Sequence, residues 1–157
     1  MRPLFYGLWA FTEATAGNSS ILRASVRSSD ELIKLWATGP AGGAGVYRVL
    51  AIHKNYNATL NATVRVTAPP GLSPQPGQLL RLLAPHIASP FEVSWGGQTF
   101  DGSATGLPLG PRVAEAVPAS GSGFSFSLPP SHRRPADFYR ALRAVRTQIS
   151  TVFYYLL

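Results

Sequence analysis

Short runs in which apolar and polar residues alternate fill most of this sequence, each closed by glycine, proline, serine or asparagine. That pattern constrains the chain to β-structure with many turns. Ala62-Thr63-Val64-Arg65-Val66-Thr67-Ala68 is a half-buried alternation, and Phe124-Ser125-Phe126-Ser127-Leu128 is another. Residues 46–54 differ, with Val49 and Ala51 on one face and Leu50 and Ile52 on the other. A strand apolar on both faces belongs at the centre of a sheet. Further runs fall at 21–27, 32–37, 78–84, 91–95, 98–100 and 113–117. Between them stand Ser28-Ser29-Asp30, Gly39-Pro40-Ala41-Gly42-Gly43, Asn55-Tyr56-Asn57, a proline-rich stretch at 69–77 and Gly96-Gly97. The expected fold is an all-β, antiparallel β-sandwich of about eight strands.

Both ends of the chain break this period. Leu4-Phe5-Tyr6-Gly7-Leu8-Trp9-Ala10-Phe11 is apolar on every side and Gly17-Asn18 is a helix stop, so an N-terminal apolar helix is expected. A secretory signal peptide is the competing reading of the same stretch, with Ala14-Thr15-Ala16 before Gly17 as its cleavage site. Pro3, the aromatic bulk and Glu13 weigh against it. Near the other end, Phe138, Leu142, Val145, Ile149, Val152 and Leu156 recur at helical spacing behind Pro135. Arg140, Arg143 and Arg146 lie off that stripe, which predicts a C-terminal amphipathic basic helix. It is too polar to span a bilayer. Packing against a domain, contact with a membrane surface, and a frayed or misassigned tail are its three readings. The chain thus divides into 1–18 (helix), 19–130 (β-domain) and 131–157 (helical tail).

With 157 residues and an apolar fraction of 45%, the chain has enough for one core without a metal or disulfide staple. It has no cysteine, which excludes thiol chemistry and cysteine-held zinc. His53, His86 and His132 are far apart in sequence and form no ligand motif, so no metal and no cofactor are expected. The net charge of +7 suits an anionic partner, but arginines at 23, 27, 65 and 81 read as isolated, outward strand positions. Interleaved basic and aromatic residues on one sheet would mark a nucleic-acid binder, and that pattern is missing. Asn18, Asn57 and Asn61 each begin an N-glycosylation sequon, which points to a secreted or extracellular protein. Trp36 and Trp95 are candidate platforms for stacking on a sugar, against the plainer reading of packed aromatics.

A retaining glycosidase needs two carboxyl groups about 5 Å apart. The seven here are Glu13, Asp30, Glu31, Glu92, Asp101, Glu115 and Asp137, and their contexts offer no catalytic pair. Asp30 and Glu31 sit together in a turn where both are expected to be solvated, and Glu92 falls on the outward side of its strand.

Several segments nevertheless resemble a glycosidase family. Arg2-Pro3-Leu4-Phe5-Tyr6-Gly7-Leu8-Trp9-Ala10-Phe11 resembles the last barrel helix of glycoside hydrolase family 79, the β-glucuronidases and heparanase. Residues 47–54 are similar to a central strand of that family's C-terminal domain. The most specific match is Gln78-Leu79-Leu80-Arg81-Leu82-Leu83-Ala84-Pro85-His86 followed by Val93-Ser94-Trp95-Gly96-Gly97-Gln98-Thr99-Phe100. Phe124-Ser125-Phe126-Ser127-Leu128-Pro129 is similar to the closing strand. The resemblance spans about residues 3–130. It implies a β-sandwich that packs on a (β/α) catalytic barrel, with the catalytic glutamates in the barrel and none of them here. The basic segment after Pro135 extends past the family pattern. The resulting expectation is a non-catalytic accessory domain of a β-glucuronidase- or heparanase-like enzyme, whose partner is that barrel. The alternative is a free-standing carbohydrate-binding or adhesion module for acidic glycans.

Overall fold

The computed structural model describes residues 3–25, 27–28, 30–41, 45–55, 60–68, 70–85, 89–130 and 151–155. In chain order these form α1 (Pro3–Ala14), β1 (Ser19–Leu22), β2 (Ile33–Pro40), β3 (Arg48–His53), β4 (Ala62–Thr67) and β5 (Gly77–Leu83). β6 (Ser94–Trp95), β7 (Glu115–Val117), β8 (Gly123–Leu128) and β9 (Thr151–Tyr155) follow. The class is the expected one, antiparallel β with an N-terminal helix. The strands divide seven and two. One sheet runs β1-β2-β3-β9-β5-β6, with β7 also on β5, and the second is the β4–β8 pair.

The two-faced apolar pattern of residues 46–54 has the consequence read from it. β3 lies inside the large sheet, between β2 and β9. Val49 and Ala51 join Val64, Leu79, Val117, Phe124, Phe126 and Leu128 in one core, which closes the large sheet against β4 and β8. Leu50 packs on a second core on the opposite face, made by Tyr6, Ala10, Ala14, Leu80, Leu82, Ala84, Val93, Trp95 and Phe100. β5 is split the same way, because successive strand side chains point to opposite faces. Helix, large sheet and strand pair therefore form three layers around two cores.

α1 is held on the sheet by its small face and by polar ties. Tyr6, Ala10 and Ala14 recur every four residues and are buried, so the helix approaches the strands closely on two alanines. The Tyr6 hydroxyl accepts the backbone N–H of Phe100 at 2.7 Å and lies 3.0 Å from the Thr99 hydroxyl. The Phe5, Tyr6 and Trp9 rings all meet Phe100 edge-on. Beyond the aromatic cluster, Glu13 takes a two-pronged bond from Arg112, at 2.9 and 2.6 Å. Carbonyls left open at the helix end are taken up by side chains, Ala14 by Thr38 and Ala16 by Arg48. Gly17 and Asn18, at φ 74° and 56°, then turn the chain into β1, as the Gly-Asn stop implied.

Three expectations need correction. Residues 91–95 do not make a full strand: Phe91 is 67% exposed, and Glu92 has a positive φ of 58° with its N–H bonded to the Asp101 carboxylate at 2.6 Å. That bend delays pairing until Ser94. The alternation at 21–27 pairs only as far as Leu22. Of the expected C-terminal helix, residues 131–150 lie outside the described residues, but 151–155 form a strand between β3 and β5. Thr-Val-Phe-Tyr-Tyr is β-branched and aromatic throughout, and two strand edges are there to receive it. Of the residues at helical spacing only Val152 lies in this strand, where the local β-preference outweighs that spacing.

Asp30 is not simply solvated either. Its carboxylate accepts Asn55 Nδ2 at 2.8 Å and the Leu32 N–H at 2.9 Å, with His53 Nε2 at 3.3 Å. It therefore ties the start of β2 to the end of β3. The Asn55 and Leu32 bonds, with His53 adding a smaller share, hold its carboxyl below the ordinary aspartate value.

Two outcomes follow for stability. Tyr6→Phe should cost about 1–3 kcal/mol in urea unfolding, because the buried Phe100 N–H loses its acceptor. A lowered carboxyl pKa stabilises the fold above the unfolded value, near 4, and that contribution is lost as pH falls from there through the folded value. Asp30→Asn should therefore melt below wild type at pH 7, and the gap should narrow as both are acidified to about pH 3.

Candidate interaction surface

Polar chemistry offers little to work with. Four of the seven carboxylates serve structural bonds: Glu13 with Arg112, Asp30 with Asn55, Glu115 with Arg81, and Asp101 with the Glu92 N–H. Glu31 and Glu92 are exposed, and Asp137 lies outside the described residues. Among the described residues no group of three His, Asp or Glu stands together as a metal site. No described helix is long and apolar enough to cross a membrane. Arg23, Arg27 and Arg65 are exposed as expected, whereas Arg81 is not an idle surface charge. Its side chain is 13% exposed, grips Glu115 at 2.6 and 3.0 Å, and donates to the Ser127 carbonyl at 3.2 Å. It links β5, β7 and β8.

The two candidate tryptophans separate sharply. Trp95 is 0% exposed at the centre of the helix-side core, so no sugar can stack on it. Burial follows from its place on β6, where it pairs with Leu82 directly beneath α1. Trp36 is 44% exposed. It stands on the same face of β2 as Lys34 and Thr38, since alternate strand residues share a face. Of the sequon residues, Asn18 is exposed in the turn between α1 and β1, Asn61 is exposed just before β4, and Asn57 lies outside the described residues.

The unexpected feature is the outward face of α1. Leu4, Leu8 and Phe11, spaced four and three apart, are 76%, 57% and 54% exposed. They form an apolar ridge turned away from the face carrying Tyr6, Ala10 and Ala14. A groove lies along each flank. One, of about 330 Å³, is lined by Phe5, Leu8, Trp9, Thr12, Phe100 and Pro108. The other, of about 390 Å³, runs between Phe11 and the bare strands, where Ile21, Trp36, Leu50 and Ile52 line it. Ile21 is itself 72% exposed. α1 packs over β3 and β6 and reaches β2 at Thr38, while Ile21 and Trp36 on the same side stay exposed among the described residues.

Ridge and grooves together make an apolar surface that water wets poorly, which is the physical mark of an interaction site. Reading the sequence identified the helix as apolar all round but not which side would be left open. The signal was available in the small residues. Ala10 and Ala14 allow the close backbone approach that a bulky Leu8 or Phe11 would prevent. No family model matches the chain, and no curated protein matches it.

Proposed function

We propose that the chain is a non-catalytic accessory domain of a family 79-like glycoside hydrolase, docked through the α1 ridge and its two grooves on a (β/α) catalytic barrel. The carrying observation is the exposed Leu4–Leu8–Phe11 ridge on a helix fastened to the sheet at Tyr6, Glu13 and Ala14. A helix held that firmly presents its outer face as a fixed shape, and a barrel's outer helices are a natural apolar counterpart. In this reading β4 and β8 are the reduced second leaf of a β-sandwich, and the chemistry resides in the barrel. The segments that resemble the family include α1, β3, β5, β6 and β8, the elements that build the two cores. Sequons at Asn18 and Asn61, both exposed, fit a secreted glycoprotein.

A second reading rests on a different observation. Trp36 is half exposed, with Lys34 on the same face of its strand, an arrangement that suits a ring stacked on a sugar beside an acidic group. It makes the chain a glycan-binding module.

The tests separate the two. At tens of micromolar the chain alone should self-associate in size-exclusion chromatography with light scattering. A Leu8→Glu/Phe11→Glu double variant should run as a monomer with an unchanged circular dichroism spectrum. A monodisperse wild-type monomer would sink the docking proposal. The same two substitutions should abolish binding to a family 79 barrel prepared without its β-domain. Glucuronate-containing oligosaccharides should bind only under the second reading, with loss on Trp36→Ala and weakening as salt rises.

A further inference from the structure

Strand β9 lies inside the large sheet yet comes from the end of the described chain. It pairs antiparallel with β3 (Ala51↔Val152, Ile52↔Thr151) and antiparallel with β5 (Gln78↔Tyr155 to Arg81↔Val152). β3 and β5 therefore run parallel to each other, one strand apart, a gap of roughly 10 Å at ordinary strand spacing. Without β9 the sheet divides into β1-β2-β3 on one side and β5 with β6 and β7 on the other.

That gap cannot stay empty cheaply. Ala51, Leu79 and Leu80 are 0%, 2% and 1% exposed, and both flanking strands contribute to the cores above and below the sheet. With β9 in place these strands are buried, and the backbone N–H and C=O groups they turn toward each other are paired by it; an unpaired edge would need other partners. An extended segment of high β-propensity satisfies both edges at once, which is the principle of strand addition. Thr-Val-Phe-Tyr-Tyr is such a segment.

Residues 129–150 separate β8 from β9. β9 thus reaches the sheet from a part of the chain well separated in sequence from both strands it joins.

We propose that the gap between β3 and β5 is a strand-acceptor site, and that β9 is an exchangeable strand which two copies of this chain can donate reciprocally. The exchanged dimer keeps the β3–β9 and β5–β9 pairing of the monomer, with the strand supplied by the other chain. Within one chain the covalent connection supplies the strand at any dilution, whereas exchange needs a second molecule, so dilute protein closes on itself. Refolding at high concentration shifts the balance toward exchange. The proposal does not depend on the barrel-docking reading.

The natural absence of cysteine gives a clean test. An Ala51→Cys/Val152→Cys variant is made on the Leu8→Glu/Phe11→Glu background, which removes association through α1. It is refolded from urea at increasing concentration, oxidised, and run on a denaturing, non-reducing gel. A second pair, Ile52→Cys/Thr151→Cys, covers the adjacent register, because neighbouring antiparallel pairs alternate in geometry. The expected result is an intramolecular disulfide in dilute protein and a covalent dimer whose share rises with concentration. Three results would overturn the proposal. One is intramolecular closure alone up to about millimolar protein. Another is dimers that carry no interchain disulfide. The last is failure of both pairs to cross-link in protein whose circular dichroism shows it folded.

Discussion

β3 and β5 carry apolar side chains on both faces, so the sheet they occupy has to be covered twice. β4 and β8 cover one side through Val64, Phe124, Phe126 and Leu128, and α1 covers the other through Tyr6, Ala10 and Ala14. Every other arrangement follows from that demand. The polar ties sit at the rims of the two cores: Glu13 with Arg112, Ala14 with Thr38, and Arg81 with Glu115 and Ser127. At each rim a charge or carbonyl finds its partner where the apolar contact ends. The Tyr6 hydroxyl differs from these, because it is wholly buried and its bond to Phe100 joins the helix to the turn after β6.

A helix used as a cover is amphipathic when its other side meets water, and α1 is not. Its outer ridge is as apolar as its inner face. The sheet beneath it is also only partly covered, with Ile21 and Trp36 beyond the helix edge. Both features leave apolar area open to solvent, a standing cost that a docked surface would relieve. Four of the seven carboxylates are committed to structural bonds, while Leu4, Leu8 and Phe11 turn an apolar ridge outward. The proposed catalytic barrel satisfies that geometry without asking this domain for any chemistry.

The sheet has a second point of dependence in β9. Its neighbours on both sides are interior strands, so a segment brought in from the end of the described chain completes the hydrogen-bonding of strands formed far earlier in sequence. Such pairing is non-local, so loop closure has to be accomplished before the contacts stabilise it. A central strand supplied from so far along the sequence is the one the exchange proposal concerns.

Much of this was legible in the residues. The two-sided apolar pattern at 46–54 marked β3 as an interior strand, and alternation located β4 and β8 to within a residue or so. The Gly17-Asn18 stop placed the helix end, because left-handed backbone favours those two residue types. These are local consequences of side-chain period and backbone sterics, and they need no knowledge of neighbours. The fate of Trp95 against Trp36, the use of Arg81 as a three-strand link, and the bend at Glu92 were set by what packs alongside each. So was 151–155, which pairs as a strand with β3 on one side and β5 on the other. Which face of α1 remains exposed was likewise decided by tertiary contact. The sequence by itself determined that the helix would be apolar all round, and only packing on two alanines chose the side left open to solvent.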